Sequence, residues 1–290
     1  MANGEHLSLL KHGVSSWNTW RINHPEEPVD LSHASLKGMR LVGINLQGAS
    51  LLQADLRGAD LSHANLAQAN LTRVNFSEAQ CRAINLDQAI LVGANLRHTH
   101  LDDAQLWLGQ LAFANLQEAS LVGAKMANVT LAKANLTNAS LNAADLSFAL
   151  LGEAILTDAN LARTNLWKAD LKGAHLERAN FRCANLEKAN LSHCVLQGTN
   201  LARANLAHAS FFQAYLVAAD VAKTNFHQAI LVDTDLRGVN LQKVTGVSAE
   251  QLRTALTDKS THPPSQWAIT EKEWDRGIEE SAWTVPQPIG

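Results

Sequence analysis

Residues 64–73 read Ala-Asn-Leu-Ala-Gln and Ala-Asn-Leu-Thr-Arg, two copies of one five-residue unit. The unit continues in both directions without an insertion, and its central residue falls at every fifth position from Leu31 to Leu241, which makes 43 units. Thirty-six central residues are Leu, and the other seven are also apolar. A small residue, usually Ala, stands two positions before the centre, and Asn or Asp often stands directly before it. A fixed period of this kind predicts a repeat architecture.

A period of five fits neither ordinary secondary structure. Five residues of α-helix turn through about 500°, so successive leucines would drift around the helix and form no stable apolar face. Along a flat strand the side chains alternate with period two, so each step of five would move the leucine to the opposite face. The pattern is satisfied only if the chain turns once per unit and every centre points towards a common axis. The Asn and Asp residues suit such turns, because their side chains bond to nearby backbone.

Tandem A(D/N)Lxx units are the signature of the pentapeptide-repeat family, which this chain resembles over 211 of its 290 residues. With its long repeat and a leading cap that contains Trp, it looks most like the cyanobacterial members. The resemblance implies an all-β solenoid, a right-handed quadrilateral parallel β-helix with four units per coil. It therefore implies about eleven coils. The sequences that flank the repeat predict short α-helical caps at both ends.

The flanks divide the chain into three parts. Residues 1–30 are expected to form an N-terminal helical cap and linker, with one amphipathic helix over 5–20 that carries Trp17 and Trp20. Residues 31–244 form the β-helix. Residues 245–290 form a C-terminal cap and a Trp-rich tail, and a capping box beginning at Ser248 predicts a helix over 249–258.

The tail contains three tryptophans that are expected to make contacts, Trp267, Trp274 and Trp283. They pack either on the rod or on another chain, and the sequence leaves both open. Members of the family can dimerise end to end through a terminal cap, so the resemblance implies a homodimer through the C-terminal cap as one alternative.

Outward positions carry the candidate partner-binding residues. If coils are twenty residues long, residues that are twenty apart stack on one face of the rod. Trp107, Leu108, Phe148 and Trp167 then share a face. A second face carries Leu52, Ile90, Val92, Phe113, Leu150, Phe212, Ile230 and Val232, of which Phe113 and Phe212 are the aromatic candidates. Exposed Trp and Phe are typical of binding hot spots, although β-helix faces also tolerate scattered apolar residues.

No catalytic or cofactor-binding constellation is present in the sequence, so we expect no enzyme, cofactor or metal ion. His98, His100, Asp102 and Asp103 are the nearest approach to a metal cluster, but adjacent units lie on different sides of a coil. We expect them to form a solvated surface.

The cysteines and the apolar runs of the sequence indicate where we expect the protein to be located. The three cysteines form no disulfide framework, which favours reduced thiols in the cytoplasm. No apolar run approaches the roughly 18 residues of a membrane span, so we expect no membrane partner.

Two functions follow from the resemblance and differ in their charge requirements. Some members mimic duplex DNA and modulate DNA gyrase, which requires acid along the rod. Between Leu31 and Val244, however, 16 acidic and 18 basic residues are interleaved, a net charge of +2. The favoured hypothesis is a non-enzymatic, regulatory scaffold that presents its faces to a protein partner of unknown identity. A near-neutral rod without a basic stripe also predicts no nucleic-acid partner.

Overall fold

The computed structural model describes residues 2–267 and Trp274. Within the repeat, each unit contains one tight turn. The amide of Ala34 donates to the carbonyl of Leu31 at 3.0 Å, and this bond recurs along the chain. From His33 to Gly238 every fifth residue is left-handed, with φ between 52° and 73°, as in the third residue of a type II turn. The predicted change of direction in every unit is confirmed.

Consecutive coils are joined by parallel bridges between residues twenty apart, from Asp30–Ser50 to Tyr215–Asp235. Each coil therefore contains four units and four turns, and its cross-section has four sides. The central residue of each unit and the small residue two positions before it are buried in one continuous apolar core. The predicted twenty-residue coil is confirmed.

The residue before the centre stabilises the turn that follows it. Its side-chain oxygen accepts a hydrogen bond from the amide two residues later, as in Asp30 to Ser32 (2.8 Å) and Asn240 to Gln242 (3.0 Å). Asn side chains also bond from coil to coil, for example from Asn185 Nδ2 to Asn165 Oδ1 at 3.1 Å. The preference for Asn and Asp at this position is thus explained by bonds both within and between coils.

Two helices precede the repeat, α1 (Gly4–Lys11) and α2 (Val14–Asn23). The prediction of a single helix over 5–20 is wrong. Gly13 lies between the two helices with φ at 95°, a conformation that ends a helix and that Gly adopts without steric cost.

Helix α2 covers the open edge of the first coil. Trp17 is fully buried and its indole N–H donates to the carbonyl of Asn45 at 2.7 Å. Asn18 donates to the carbonyl of Gly43 at 3.0 Å and accepts from the amide of Asn45 at 2.8 Å. Trp20 is half-buried and its ring stacks on His24, with 5.1 Å between centroids. The side chains of Trp17 and Asn18 thus satisfy backbone groups that no preceding coil can reach.

After the repeat, helix α3 occupies Ala249–Arg253 and a 3₁₀ helix occupies Ser265–Trp267. The capping box between Ser248 and Gln251 is confirmed, but the predicted extension to residue 258 is wrong. Helix α3 ends at Arg253 because the chain then returns to the β-helix. Leu256 forms a parallel bridge with Asp235, and His262 forms one with Asn240.

Candidate functional site

The four residues predicted to share a face lie along one corner of the rod. Each occupies a turn, and successive turns are joined by backbone hydrogen bonds from Leu108 to Ala127 (3.2 Å), Asn128 to Ser147 (2.9 Å) and Phe148 to Trp167 (2.9 Å). Trp107, Leu108 and Phe148 are exposed, and Trp167 is half-buried. At about 4.8 Å per coil, Trp107 and Trp167 lie about 14 Å apart along the axis.

Phe148 and Trp167 form an aromatic pair that a lysine covers. Their ring centroids are 4.8 Å apart in an edge-to-face arrangement. The Nζ atom of Lys168 lies 4.5 Å from the Trp167 centroid and 5.5 Å from the Phe148 centroid. Such pairs contribute about 0.5–1.5 kcal/mol beyond their buried area, and an exposed cation–π contact contributes about 0.5–1 kcal/mol. The pair is therefore held in a fixed geometry.

Trp107 is positioned differently from the other aromatic residues. The residue before its centre is Gln105, where most units have Asn or Asp. The amide of Trp107 instead donates to Oδ1 of Asp87, one coil earlier, at 2.8 Å. Among the described residues no ring contact joins Trp107 to Phe148 or Trp167. The corner thus carries two separate groups, Trp107 with Leu108 and Phe148 with Trp167.

The group predicted on a second face partly continues this same surface. From Leu108 the chain crosses one flat side and turns again at Phe113, which is 62% exposed. Leu150, 50% exposed, lies on that flat side next to the turn that contains Phe148. The sequence analysis predicted two separate faces, whereas in the structure Phe113 and Leu150 lie next to the corner that carries the other four residues. We name this surface the aromatic side; it comprises Trp107, Leu108, Phe113, Phe148, Leu150 and Trp167.

Phe212 does not join the aromatic side. It lies on the same corner as Phe113 but five coils further along, about 24 Å away. Its ring meets His193 edge to face, with 5.4 Å between centroids, and Ile230 and Val232 are exposed in the next coil. Phe212 therefore belongs to a smaller apolar group near the end of the rod.

Two of the three tail tryptophans can be placed. Trp267 is half-buried and Trp274 is buried, with 6.5 Å between their ring centroids. Both pack against the apolar core of the same chain. Trp283 lies outside the described residues.

The residues of the candidate metal cluster contact different neighbours. His98 Nδ1 lies 3.4 Å from Glu118, Asp103 lies 3.4 Å from Arg82, and Asp102 accepts a hydrogen bond from Ser120. Within residues 2–267 and Trp274, no group of three His, Cys, Asp or Glu residues is arranged to hold a metal ion.

A cleft of about 460 Å³ lies between Pro25–Pro28 and the first coil. Its cation, Arg21, is already engaged, because the guanidinium donates to the carbonyls of His24, Glu27 and Gln47. Arg21 therefore fastens α2 to the rod.

None of the helices described here combines the length and apolar character required to cross a bilayer.

The comparisons with known proteins agree on the repeat. The family model described as Pentapeptide repeats matches overlapping segments that together span residues 29–107 and 110–245. A search of curated protein sequences found no match.

Three solved structures illustrate the similarity. HetL, a pentapeptide repeat protein involved in heterocyst differentiation regulation in the cyanobacterium Nostoc sp. strain PCC 7120, is 30% identical over 74% of this chain and 94% of its own, with a TM-score of 0.41. A pentapeptide repeat protein of the Arabidopsis thaliana thylakoid lumen is 26% identical over 37% of this chain and 67% of its own (TM-score 0.23). QnrB1, a plasmid-mediated fluoroquinolone resistance protein, is 18% identical over 77% of this chain and 91% of its own (TM-score 0.26).

Proposed function

This chain belongs to the pentapeptide-repeat family, and we propose that it is a non-enzymatic rod that presents its aromatic side to a protein partner. In this proposal the rod is a right-handed β-helix of about eleven coils. Helices α1 and α2 cap one end and the segment from α3 onwards caps the other. The bonds from α2 to the first coil and the bridges of Leu256 and His262 support the two caps.

The exposure of the aromatic side is the observation that carries the proposal. Trp107, Phe113 and Phe148 are 45%, 62% and 40% exposed, although their side chains are large and aromatic. Exposing large aromatic rings to water is costly unless a partner covers them, and Trp and Phe in a patch with a polar rim are typical of protein-binding surfaces. The fixed geometry of Phe148, Trp167 and Lys168 reduces the entropy that a partner must remove on binding.

A regulatory role is part of the proposal. HetL is involved in the regulation of heterocyst differentiation, and we extend to this chain only the general role of a regulator. The three free thiols support a cytoplasmic location. A homodimer through the C-terminal cap stays a prediction.

Modulation of DNA gyrase by DNA mimicry is the alternative function. QnrB1 is a fluoroquinolone resistance protein, but its identity to this chain is too low to indicate more than the fold. A mimic of phosphates requires continuous acid, whereas acids along this rod alternate with cations, as in the pairs of Arg97 with Glu118 and Lys133 with Glu153. The charge therefore favours the scaffold.

The test compares three full-length baits in the native host: the wild type, Trp107→Ala/Phe148→Ala/Trp167→Ala, and the control Ile155→Ala/Tyr215→Ala/Val217→Ala. The control removes exposed apolar groups from another side of the rod. We expect a discrete protein that co-purifies with the wild type and the control and falls at least tenfold with the first variant.

Equal recovery with all three baits would contradict the proposal. Recovery of gyrase subunits with all three would favour the alternative. If the first variant has the same melting temperature as the wild type, its loss of the co-purified protein is not caused by unfolding.

A further inference from the structure

Five cations lie along a different corner of the rod. They occupy the turns of five consecutive coils: Arg163, Arg182, Arg203, Lys223 and Lys243. All five side chains are exposed. We name this corner the basic ridge, and at about 4.8 Å per coil it is about 19 Å long.

Backbone hydrogen bonds fix the alignment of these turns. The amide of Arg163 donates to the carbonyl of Arg182 at 3.0 Å, and the amide of Lys223 donates to the carbonyl of Lys243 at 3.0 Å. The turns between them are joined by bonds from Cys183 to Ala202 (3.0 Å) and from Arg203 to Ala222 (2.9 Å). The line is therefore a property of the fold.

The cations of the ridge have no acidic partners within the described part of the chain. Most other arginines of the rod do, for example Arg57 with Asp55 at 2.6 Å and Arg178 with Asp158 at 2.6 Å. The flat sides next to the ridge present mostly Asn: Asn160, Asn180, Asn200 and Asn240 on one side, and Asn165, Asn185, Asn205 and Asn225 on the other. Asp220 is the single acid at the outward positions of these two sides over residues 160–243, and the carboxylate of Glu187 on the next corner reaches Asn205 at 3.4 Å, so the five cations still outnumber the nearby acids.

The sequence-based expectation of a rod without a basic stripe is therefore wrong. Between residues 160 and 244 there are ten basic and six acidic residues, a net charge of +4, whereas residues 31–159 have eight basic and ten acidic residues, a net charge of −2. Over the whole rod the two net charges add to +2, which conceals the difference between its halves. Residues about twenty apart look scattered in the sequence but lie in adjacent coils.

We propose that the basic ridge binds the phosphate backbone of a nucleic-acid duplex. This inference concerns a surface distinct from the aromatic side and does not depend on the proposed protein scaffold. A duplex presents one negative charge per about 1.7 Å of axis, and release of its counterions supplies binding free energy without burial of apolar surface. A 19 Å ridge spans about half of the 34–36 Å helical turn, so its cations meet phosphates across one groove.

The chemistry of the ridge favours a duplex over other polyanions. Its remaining outward residues are Ala162, Cys183, Ala202, Ala222 and Gln242, which provide no large apolar anchor. Protein interfaces concentrate Trp, Tyr and Arg around an apolar centre, and binding of single strands uses aromatic rings for stacking. The ridge has neither an apolar centre nor aromatic rings. A single row of cations on a rigid rod instead matches the regularly spaced phosphates of a duplex.

The test measures the affinity of the full-length protein for a fluorescent 20-base-pair duplex by anisotropy as salt is raised. Five phosphate contacts predict a log–log slope of about −4.5, at about 0.9 per contact. Replacing Arg163, Arg182 and Arg203 with Gln leaves two contacts and predicts a slope of about −1.8 and at least tenfold weaker binding at 50 mM salt.

The control removes the same charge from exposed cations elsewhere, as Arg40→Gln/Arg73→Gln/Lys172→Gln, and should change the affinity less than threefold. Because Cys183 lies on the ridge and is exposed, saturating duplex should also slow its alkylation severalfold. The absence of duplex binding, or equal loss with the control, would overturn the proposal. Ridge-dependent binding of a poly-glutamate peptide or of phosphatidylserine vesicles that is tighter than duplex binding would also overturn it.

Discussion

Single residues explain how the repeat turns are held, and the pair of Asp235 and Arg237 is the strongest case. Asp235 is almost fully buried, and its carboxylate accepts bonds from Arg237 Nε at 2.9 Å and Nη2 at 2.7 Å. These bonds lower the pKa of Asp235 below its usual value. The same arrangement joins Asp55 to Arg57 near the other end of the rod.

The lowered pKa predicts a dependence of stability on pH. Because the folded-state pKa lies below the unfolded value of about 3.9, the ionised carboxylate stabilises the fold above about pH 4. This contribution is lost as the pH falls through the folded-state pKa. The difference in free energy of unfolding between wild type and Asp235→Asn, measured in urea, should therefore be full at pH 6 and shrink towards pH 2. A difference that does not change with pH would contradict this account.

Gly246 is required where the chain leaves the last coil for α3. Its φ is 72°, and a Cβ atom would lie 2.8 Å from the amide nitrogen and 2.9 Å from the Cα of His227. Gly43 has a similar φ of 69° but open space around it. Gly43→Ala should cost about 1–2 kcal/mol for the left-handed conformation alone. Gly246→Ala should lower the free energy of unfolding, measured in urea, by clearly more than Gly43→Ala does. Equal losses in the two variants would show that the clash with His227 is relieved.

At the level of elements, α2 acts as the cover of the first coil. Trp17→Ala removes a fully buried ring and the bond to Asn45, so it should lower the free energy of unfolding by about 3–5 kcal/mol. The control on the same helix is Ile22→Ala, because Ile22 is 76% exposed and its removal should change stability by less than about 0.5 kcal/mol. Urea unfolding followed by circular dichroism distinguishes them, and similar losses would argue against a covering role.

The elements differ in how well the sequence predicts them. The repeat was predictable unit by unit because each turn depends on local residues, namely the apolar centre, the small residue before it and the Asn or Asp that bonds to the turn. The helices were less predictable because their ends depend on single residues and on tertiary pairing. Gly13 divides the first predicted helix, and Leu256 leaves the last one to join the ladder.

The candidate site was predictable only in outline. A period of twenty correctly placed Trp107, Leu108, Phe148 and Trp167 on one line. The sequence did not indicate that Phe113 and Leu150 adjoin them, or that Lys168 covers the aromatic pair, because such contacts depend on the geometry of the corners and on rotamers. The basic ridge was missed for the same reason, since its members are separated by about twenty residues.

As a whole, the molecule is a rod whose surfaces differ in chemistry. One surface, the aromatic side, carries exposed rings, and another, the basic ridge, carries unpaired cations over the C-terminal half. Because a four-sided solenoid fixes the direction of every outward side chain, the two surfaces keep constant positions relative to the coils. A rod of this kind suits a scaffold that binds different partners on different surfaces.

Site-specific photo-cross-linking tests most directly whether a protein partner docks on the aromatic side. A benzoylphenylalanine side chain is introduced in place of Leu108 on the aromatic side, or in place of Asn138, which is exposed on the opposite corner. Irradiation in the native host should produce one discrete cross-linked protein from position 108 and none from position 138. Cross-linking of the same protein from both positions, or only from position 138, would contradict the claim.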